Sequence, residues 1–259
     1  MTGGLWQSSV VEKITGGRCV GGPWVAQGIS FDSRLTRPGD LFLALNGGER
    51  DGHDFVAGAF INGAVVAVVE KIPENNKGEG SFLLVDNVYE ALQDLALESR
   101  VRAPATIVAV TGSVGKTSTK DALAAALSKS CKVHSTSGNL NNHIGLPLSL
   151  ARMPKETKFG VFELGMNHSG EIRHLSNLIK PELAIITNVN SVHLEHFENE
   201  QGIAEAKAEI FQGMSSDGQV ILYSDNRWSQ FLTSKAREAG IKNIITFGSD
   251  ASCAVRISN

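Results

Sequence analysis

The chain has 259 residues, of which 42% are hydrophobic and 20% are charged, as is typical of globular proteins. Its 24 Lys and Arg against 27 Asp and Glu give a formal net charge of −3, which argues against nucleic acid or an acidic membrane as a partner. The three cysteines are far apart and form no CxxC pair, which argues against a disulfide framework or a zinc site. There is no signal-peptide pattern at the N-terminus and no apolar run of ~20 residues, so we expect a soluble, cytoplasmic protein.

The first hundred residues alternate short apolar runs with turn-forming residues. The runs that predict buried strands are 29–31, 41–45, 64–69 and 82–85. Residues 55–61 and 88–101 have the pattern of helices. We therefore predict a small α/β domain over residues 1–103, which ends where Pro104 interrupts the second helix.

A longer series of strands and helices begins at Thr106. The predicted strands are 106–110, 159–162, 183–187, 219–223 and 243–247, and the predicted helices are 117–130, 170–179, 202–214 and 228–239. This alternation predicts a mostly parallel sheet, which binds ligands beyond the carboxyl ends of its strands. Residues 254–257 alternate like one more strand, and we expect residues 104–259 to be a truncated second domain.

A glycine-containing loop follows the first strand of this series. It consists of Thr111, Gly112, Ser113, Val114, Gly115, Lys116, Thr117 and Ser118. The glycines let backbone N–H groups turn towards an anion, and the helix N-terminus adds partial positive charge. We expect Lys116 to reach the β- and γ-phosphates of a nucleotide and the Thr117 hydroxyl to hold Mg²⁺. The general pattern has a further glycine where this chain has Val110, and the alternative is a simple turn with a surface lysine.

Polar residues follow the next two strands as well. Glu163 ends its strand and suits a magnesium ligand beside the phosphate loop, although it could also be a surface acid. His193 lies just beyond the strand at 183–187, where a metal ligand and a simple loop histidine are both open interpretations. His196 is a weaker candidate of the same kind.

Lys207 falls on the apolar face of its predicted helix. Ile203, Ile210 and Phe211 share that face, where an unpaired ammonium is costly. One interpretation is a lysine that extends to water. The other is a lysine whose charge is reversed by carbamylation, which would make it an acidic metal ligand.

An amide-rich segment, residues 139–147, follows a strand-like stretch at 132–134. Its asparagine side chains offer both donors and acceptors to a substrate or to a γ-phosphate. A polar turn is an equally good interpretation of the spacing alone.

Taken together, these segments resemble the Mur ligases, which are ATP-dependent amide-bond ligases of peptidoglycan synthesis. The resemblance rests, in order along nearly the whole chain, on residues 111–117, 139–147, 163–171 and 188–207. Further similar segments are 32–34, 38–42, 51–53, 63–64, 163–167 and 170–172. These further segments resemble the corresponding segments of the family members that add D-alanyl-D-alanine to UDP-N-acetylmuramoyl-tripeptide.

The resemblance implies a three-domain enzyme with a UDP-substrate domain, a central ATPase domain and a C-terminal domain that helps to bind nucleotide and the incoming amine. This chain would supply the first domain and most of the second, so we expect it to have little ligation activity alone. In the implied reaction, the tripeptide carboxylate attacks the γ-phosphate of ATP, which gives an acyl phosphate and ADP. The amine of D-alanyl-D-alanine then displaces phosphate. Both substrates are small molecules, and without an obvious interface stripe we expect a monomer.

The resemblance also implies roles for individual residues. Lys116, the loop N–H groups and Asn141 would hold ATP, while Thr117 and Glu163 would bind one Mg²⁺. His193 and carbamylated Lys207 would serve a second Mg²⁺, so that the implied catalytic residues are Lys116, Glu163, His193 and Lys207. The implied substrate contacts are Ser33 and Arg34 at the uridine end, and Asn142, Asn167 and His168 near the muramoyl-peptide.

Two other interpretations share the phosphate loop. Folylpolyglutamate synthases have the same ATPase centre, but the Asp32-Ser33-Arg34 segment of the first domain argues against them. A nucleotide-dependent switch would hydrolyse ATP or GTP to change partners. The chain has no guanine-selecting Asn-Lys-x-Asp run, and a switch would leave the first domain without a purpose.

Overall fold

The computed structural model describes residues 3–48, 50–76, 80–191, 197 and 199–256. The chain divides into two compact units. The first comprises Met1–Arg102 with Leu150–Pro154, and the second Ala103–Ser149 with Lys155–Asn259. Both units are α/β, and the second contains the expected parallel sheet, so the predicted fold class is confirmed.

The first unit has a five-stranded mixed sheet. Its elements are β1 (Trp6–Gln7), α1 (Ser8–Thr15), β2 (Arg18–Val20), β3 (Val25–Ala26), β4 (Gly28–Ser30), β5 (Asp40–Leu43), α2 (Val56–Ile61), β6 (Val66–Val69), β7 (Phe82–Leu84) and α3 (Val88–Arg102). The sheet order is β2-β7-β6-β5-β4, with β2 antiparallel to β7 and the other pairs parallel. Phe42, Val69 and Phe82 lie in the core beside α2.

The four strands and two helices predicted for the first hundred residues are present as β4 to β7, α2 and α3. The sequence did not indicate α1 or the short strands around it. Helix α1 has only eight residues, which is shorter than the window of roughly 11–18 residues over which apolar periodicity identifies a helix. It ends at Gly16, whose φ of 64° is the left-handed conformation that glycine adopts readily.

The second unit is a seven-stranded sheet in which every strand pair is parallel. Its elements are β8 (Thr106–Thr111), α4 (Lys116–Leu127), β9 (Val133–Ser135), α5 (Gly145–Ala151, whose last two residues belong to the first unit), β10 (Phe159–Glu163), α6 (Glu171–Ile179), β11 (Leu183–Ile186), α7 (Glu200–Ala208), β12 (Gln219–Tyr223), α8 (Ser229–Glu238), β13 (Asn243–Gly248) and β14 (Val255–Arg256). The strand order is β14-β13-β12-β11-β8-β10-β9.

Strand β8 is an interior strand of this sheet, between β10 and β11. Because these strands are parallel, the loops that leave β8, β10 and β11 lie at one carboxyl edge of the sheet. The strand order reverses beside β8, and such a point is where these sheets bind ligands. The buried side chains of β8, such as Ile107 and Val110, anchor the strand from both faces. The fold therefore brings three loops together that are distant in sequence.

The predicted elements of the second unit are present, with two differences. Helix α5 begins at Gly145, inside the amide-rich segment, where the sequence predicts no helix. The helix predicted over 202–214 is an α-helix only to Ala208 and continues as a 3₁₀ turn over Glu209–Gly213. Within the described residues, no helix is both long and apolar enough to cross a bilayer.

Candidate functional site

The loop between β8 and α4 depends on two glycines in conformations that other residues rarely adopt. Gly112 has φ +151° and Gly115 has φ +81°. A Cβ on Gly112 would collide with the Thr187 hydroxyl, so a larger side chain has no room there. Gly115 immediately precedes α4, whose N-terminus has no side-chain cap.

The amide groups of this loop fall into two sets. Ser113 N–H donates to the Asn188 carbonyl at 3.0 Å, and Val114 N–H donates to Asn188 Oδ1 at 3.0 Å. These two amides are therefore already engaged by the loop that follows β11. The amides at the uncapped start of α4 are the groups that a helix leaves for an anion, and the helix dipole favours negative charge at this point.

Lys116 lies half-buried at the start of α4 and points back over the loop. Its Nζ donates to the Gly112 carbonyl at 2.9 Å. Burial lowers the pKa of Lys116, and the negative charge of Glu163 partly opposes that shift. A flexible ammonium beside an uncapped helix start suits a polyphosphate, as the sequence predicts.

Glu163 ends β10 and is only 3% exposed. Its Oε2 accepts a hydrogen bond from the Thr117 hydroxyl at 2.8 Å, and its Oε1 accepts one from Asn141 Nδ2 at 2.8 Å. Asn141 is held in turn by the Gly165 N–H, which donates to its backbone carbonyl at 2.9 Å. Three side chains from three segments thus meet beside the phosphate loop.

This group of side chains fits Mg²⁺, which prefers carboxylate and hydroxyl oxygens near phosphates. The buried carboxylate of Glu163 and the hydroxyl of Thr117 supply such oxygens. Among the residues that the structure describes, no three His, Cys, Asp or Glu side chains cluster as a metal site of their own. A metal here would therefore depend on phosphate and water for its remaining ligands.

Thr136 and Lys120, which the sequence did not indicate, hold the backbone at Glu163 in place. The Glu163 N–H donates to Thr136 Oγ1 at 3.2 Å, and Lys120 Nζ donates to the Thr136 carbonyl at 2.7 Å. Lys120 is 2% exposed and forms an ion pair with Asp121 at 2.9 Å. Its signal in the sequence is its position one helical turn after Lys116, on the same side of α4.

Lys207 is 2% exposed in the last turn of α7, so its side chain is buried and does not extend to water. Ile203, Ile210 and Phe211 are buried as the helical pattern predicts. Burial, and next the positive charge of Lys116, lower the pKa of Lys207 to about 7. The structure therefore brings Lys207 within electrostatic range of the phosphate loop.

A cavity of about 630 Å³ lies beside Lys116 in the second unit. Residues that line it include Asn141, Asn142, Asn167, Glu171 and His174. His168 is not among its lining residues, although its N–H, like that of Asn167, donates to Glu171 Oε2. The side chain of Asn142 also accepts from the Gly145 N–H at 2.8 Å and so starts α5.

Glu209 is hydrogen-bonded to Ser169 and Gly170, two residues that line this cavity, and the sequence did not indicate this role. Its carboxylate accepts hydrogen bonds from Ser169 Oγ at 3.0 Å, from the Gly170 N–H at 2.7 Å and from the Arg173 N–H at 3.2 Å. Glu209 therefore caps the N-terminus of α6 from another segment of the chain. The N-cap residue itself, Gly170, has no side chain that could accept these hydrogen bonds. Sequence spacing gives no signal for such a distant cap.

The two candidate residues of the first unit lie in a short 3₁₀ turn, Ser33–Leu35. Ser33 is buried, and its carbonyl accepts from Asn62 Nδ2 at 2.8 Å. Arg34 forms an ion pair with Asp32 at 2.6 Å while its side chain stays 83% exposed. That ion pair leaves the outer face of the guanidinium open to a ligand. His193 and His196 lie outside the described residues.

Two family models match the chain. The model of the Mur ligase middle domain matches residues 110–259, and that of the Mur ligase family, catalytic domain, matches residues 25–141. The chain is 41% identical over 229 residues to the UDP-N-acetylmuramoyl-tripeptide–D-alanyl-D-alanine ligase of Rickettsia prowazekii (strain Madrid E). That alignment covers 88% of this chain and 51% of the ligase. It is also 41% identical to the ligase of the same name from Bacillus subtilis (strain 168), in an alignment that covers 78% of this chain and 44% of that ligase.

Solved structures agree with these matches. MurF from Acinetobacter baumannii aligns with a TM-score of 0.80 at 34% identity and covers 94% of this chain and 53% of its own. MurF ligase from Thermotoga maritima in complex with ADP aligns with a TM-score of 0.70 at 32% identity and covers 86% of this chain and 51% of its own. The chain spans about half the length of the curated relatives it matches. Because the middle-domain model alone matches more than half of the residues, the chain belongs to the Mur ligase family.

Proposed function

We propose that this chain carries the substrate-binding and ATP-binding parts of a ligase that joins D-alanyl-D-alanine to UDP-N-acetylmuramoyl-tripeptide. The observation that carries the proposal is the group formed by Lys116, Thr117 and Glu163 at the start of α4. The same chain shares 36–41% identity with eight curated ligases of that one name. The geometry of this group supports the binding of a nucleotide, and the names of the relatives support the choice of the two other substrates.

In the proposed reaction, ATP with Mg²⁺ supplies the phosphoryl group that turns the tripeptide carboxylate into an acyl phosphate, from which the amine of D-alanyl-D-alanine displaces phosphate. The chain's own part is placement and charge neutralisation. The amides at the start of α4 and the Lys116 ammonium would neutralise the phosphates. Thr117 and Glu163 would hold the metal, and Asn141 fixes the Glu163 carboxylate in position.

We assign the UDP-linked substrate and ATP to different parts of the chain. Residues 1–103, with Ser33 and Arg34, would bind the UDP end, and residues 104–259 would bind ATP. Asn142 and Asn167 would contact the muramoyl-peptide in the cavity beside Lys116, where both residues lie. His168 and His193 keep the roles implied by the family resemblance as proposals. We also propose that the chain is a monomer, which light scattering on the purified chain would test.

We further propose that Lys207 is carbamylated. In that step, the Lys207 ammonium first loses one proton. The neutral amine then attacks the carbon of CO₂, a nitrogen–carbon bond forms as one carbon–oxygen π bond breaks, and a second proton leaves the nitrogen, which gives an anionic carbamate. The support is its burial together with the nearby Lys116, because charge reversal replaces repulsion between two lysines by attraction. ¹³C NMR after exposure to ¹³C-bicarbonate should give a carbamate signal that Lys207→Met lacks; the absence of that signal in the native chain would refute the proposal.

Thermal unfolding with separate ligands tests the main proposal. We expect Mg²⁺-ADP and UDP-N-acetylmuramoyl-tripeptide each to raise the Tm, because a ligand that binds only the folded chain stabilises it. Lys116→Met should abolish the shift with ADP and preserve the shift with the UDP-linked peptide. Stabilisation by a folate without any response to the UDP-linked peptide would favour a folylpolyglutamate synthase, and a response to nucleotide alone would favour a switch protein.

A further inference from the structure

We propose that Thr187 and Asn188 form a clamp that fixes the backbone of the phosphate loop before any ligand binds. The two residues directly follow β11 and are positioning residues, because they act through the loop. Neither belongs to the residues that the motif itself identifies. The effect of the clamp on nucleotide affinity rests on the proposed function, whereas its effect on the loop does not.

Thr187 holds the loop from one side. Its hydroxyl donates to the Val114 carbonyl at 2.6 Å and lies 3.4 Å from the Thr111 carbonyl. Its N–H donates to the Thr111 carbonyl at 3.0 Å and so extends the pairing of β11 with β8 into the loop. The Thr187 side chain also occupies the space beside Gly112 that a Cβ would need. One side chain thus contacts both ends of the turn.

Asn188 holds the loop through two consecutive amides. Its carbonyl accepts from the Ser113 N–H, and its Oδ1 accepts from the Val114 N–H, both at 3.0 Å. Two further bonds link the next residues, since Ser113 Oγ donates to the Asn190 carbonyl at 2.9 Å and accepts from the Asn190 N–H at 2.9 Å. The loop is therefore attached to the segment after β11 at Ser113 and at Val114.

The clamp has two physical consequences. A loop with two glycines would otherwise sample many conformations, and ordering it during binding would cost affinity. The clamp also engages the amides of Ser113 and Val114 in hydrogen bonds to Asn188, whereas the amides at the start of α4 have no side-chain cap and are available to phosphate. The loop is thus shaped in advance for an anion at the start of α4.

Amide exchange in the ligand-free chain of 259 residues tests the clamp directly. Thr187→Val removes the hydroxyl and keeps the volume, whereas Thr187→Ser restores a hydroxyl. Asn188→Ala removes the side-chain acceptor, whereas Asn188→Asp keeps one. We expect amide exchange at Val114 to accelerate at least tenfold in Thr187→Val and Asn188→Ala, and to stay within about twofold of the native rate in the two conservative variants. Unchanged exchange in Thr187→Val and Asn188→Ala would overturn the proposal.

Nucleotide affinity provides the second measurement. We expect the Kd for Mg²⁺-ADP to rise about tenfold in Thr187→Val and to return within about twofold in Thr187→Ser. Thr246→Val removes a hydroxyl from β13 and serves as the control, with native affinity expected. Equal losses in Thr187→Val and Thr187→Ser would refute the clamp, because the hydroxyl would then be irrelevant. A native chain that binds no nucleotide would refute the proposed function instead, and the exchange experiment would still decide on the clamp.

Discussion

The Thr117 hydroxyl donates to Glu163 Oε2 at 2.8 Å, although 46 residues separate the two in sequence. Thr117 lies in the first turn of α4, and Glu163 is the last residue of β10. Neighbouring parallel strands end at one edge, and the pairing of Glu163 with Val110 in β8 sets the carboxylate level with the start of the phosphate loop. This relationship defines where a metal would bind.

Glu163→Gln tests that metal position. The amide keeps the size of the side chain and one acceptor oxygen but loses the charge that attracts a divalent cation. We expect the enhancement of ADP affinity by Mg²⁺ to fall at least tenfold, with metal-free affinity changed much less. Titration calorimetry with and without Mg²⁺ measures both values. The matched control is Glu156→Gln at an exposed position, and an undiminished Mg²⁺ effect in Glu163→Gln would contradict the assignment.

Gly112→Ala tests the close approach between Gly112 and Thr187. The added Cβ meets the Thr187 hydroxyl and forces an alanine into a φ of +151°, so we expect a loss of about 1–3 kcal/mol in the free energy of unfolding. Denaturant titration measures this loss. Gly22→Ala is the control, since no atom lies within 4 Å of its Cβ position. In the double variant with Thr187→Ala, part of the loss should be recovered; strictly additive effects would argue against a direct clash.

Glu209→Ala tests the distant cap on α6. Removal of the carboxylate leaves the Gly170 and Arg173 N–H groups without their acceptor, which should lower the free energy of unfolding by about 1–3 kcal/mol. Glu209→Gln retains an acceptor oxygen and should cost less. Chemical denaturation of both variants, with the exposed Glu205→Ala as control, measures the difference. Equal stability of Glu209→Ala and the native chain would show that the cap contributes nothing.

Cys19 provides a test of electrostatics in the first unit. Burial first, and then the carboxylate of Glu12, raise the pKa of Cys19 to about 11. The thiolate is the reactive form, so alkylation at pH 8 should be about a hundredfold slower than for an unperturbed thiol and should accelerate as the pH approaches 11. Iodoacetamide labelling followed by peptide mass spectrometry gives the rate, with Cys131 and Cys253 as references in the same sample.

Glu12→Gln separates the two causes of that shift. The Oε1 atom of Glu12 accepts a hydrogen bond from the Cys19 N–H at 2.6 Å, and the side-chain amide of a glutamine keeps an acceptor oxygen there without the negative charge. Since burial is the larger cause, we expect labelling of Cys19 at pH 8 to become several times faster and still remain slower than for an exposed thiol. A rate identical to the native chain would mean that the charge of Glu12 has no effect.

The alternation of strands and helices, the parallel sheet and the loop from Thr111 to Ser118 could all be predicted from the amino-acid sequence. These features rest on local periodicity and on residue types at fixed spacing, which the chain carries without reference to its tertiary contacts. The position of Lys207 on the apolar face of its helix also followed from the sequence, since Ile203 and Ile210 repeat at helical spacing, whereas its burial is a finding of the structure.

The distant residues that complete the site, in contrast, became evident only in the folded chain. Thr187 and Asn188 attach to the phosphate loop because β11 pairs with β8, and Glu209 caps α6 because the turn after α7 packs against that helix. Lys120 likewise reaches Thr136 only through the packing of α4 on the sheet. Such contacts depend on strand order and helix packing, and neither is encoded in the spacing of residues along one segment.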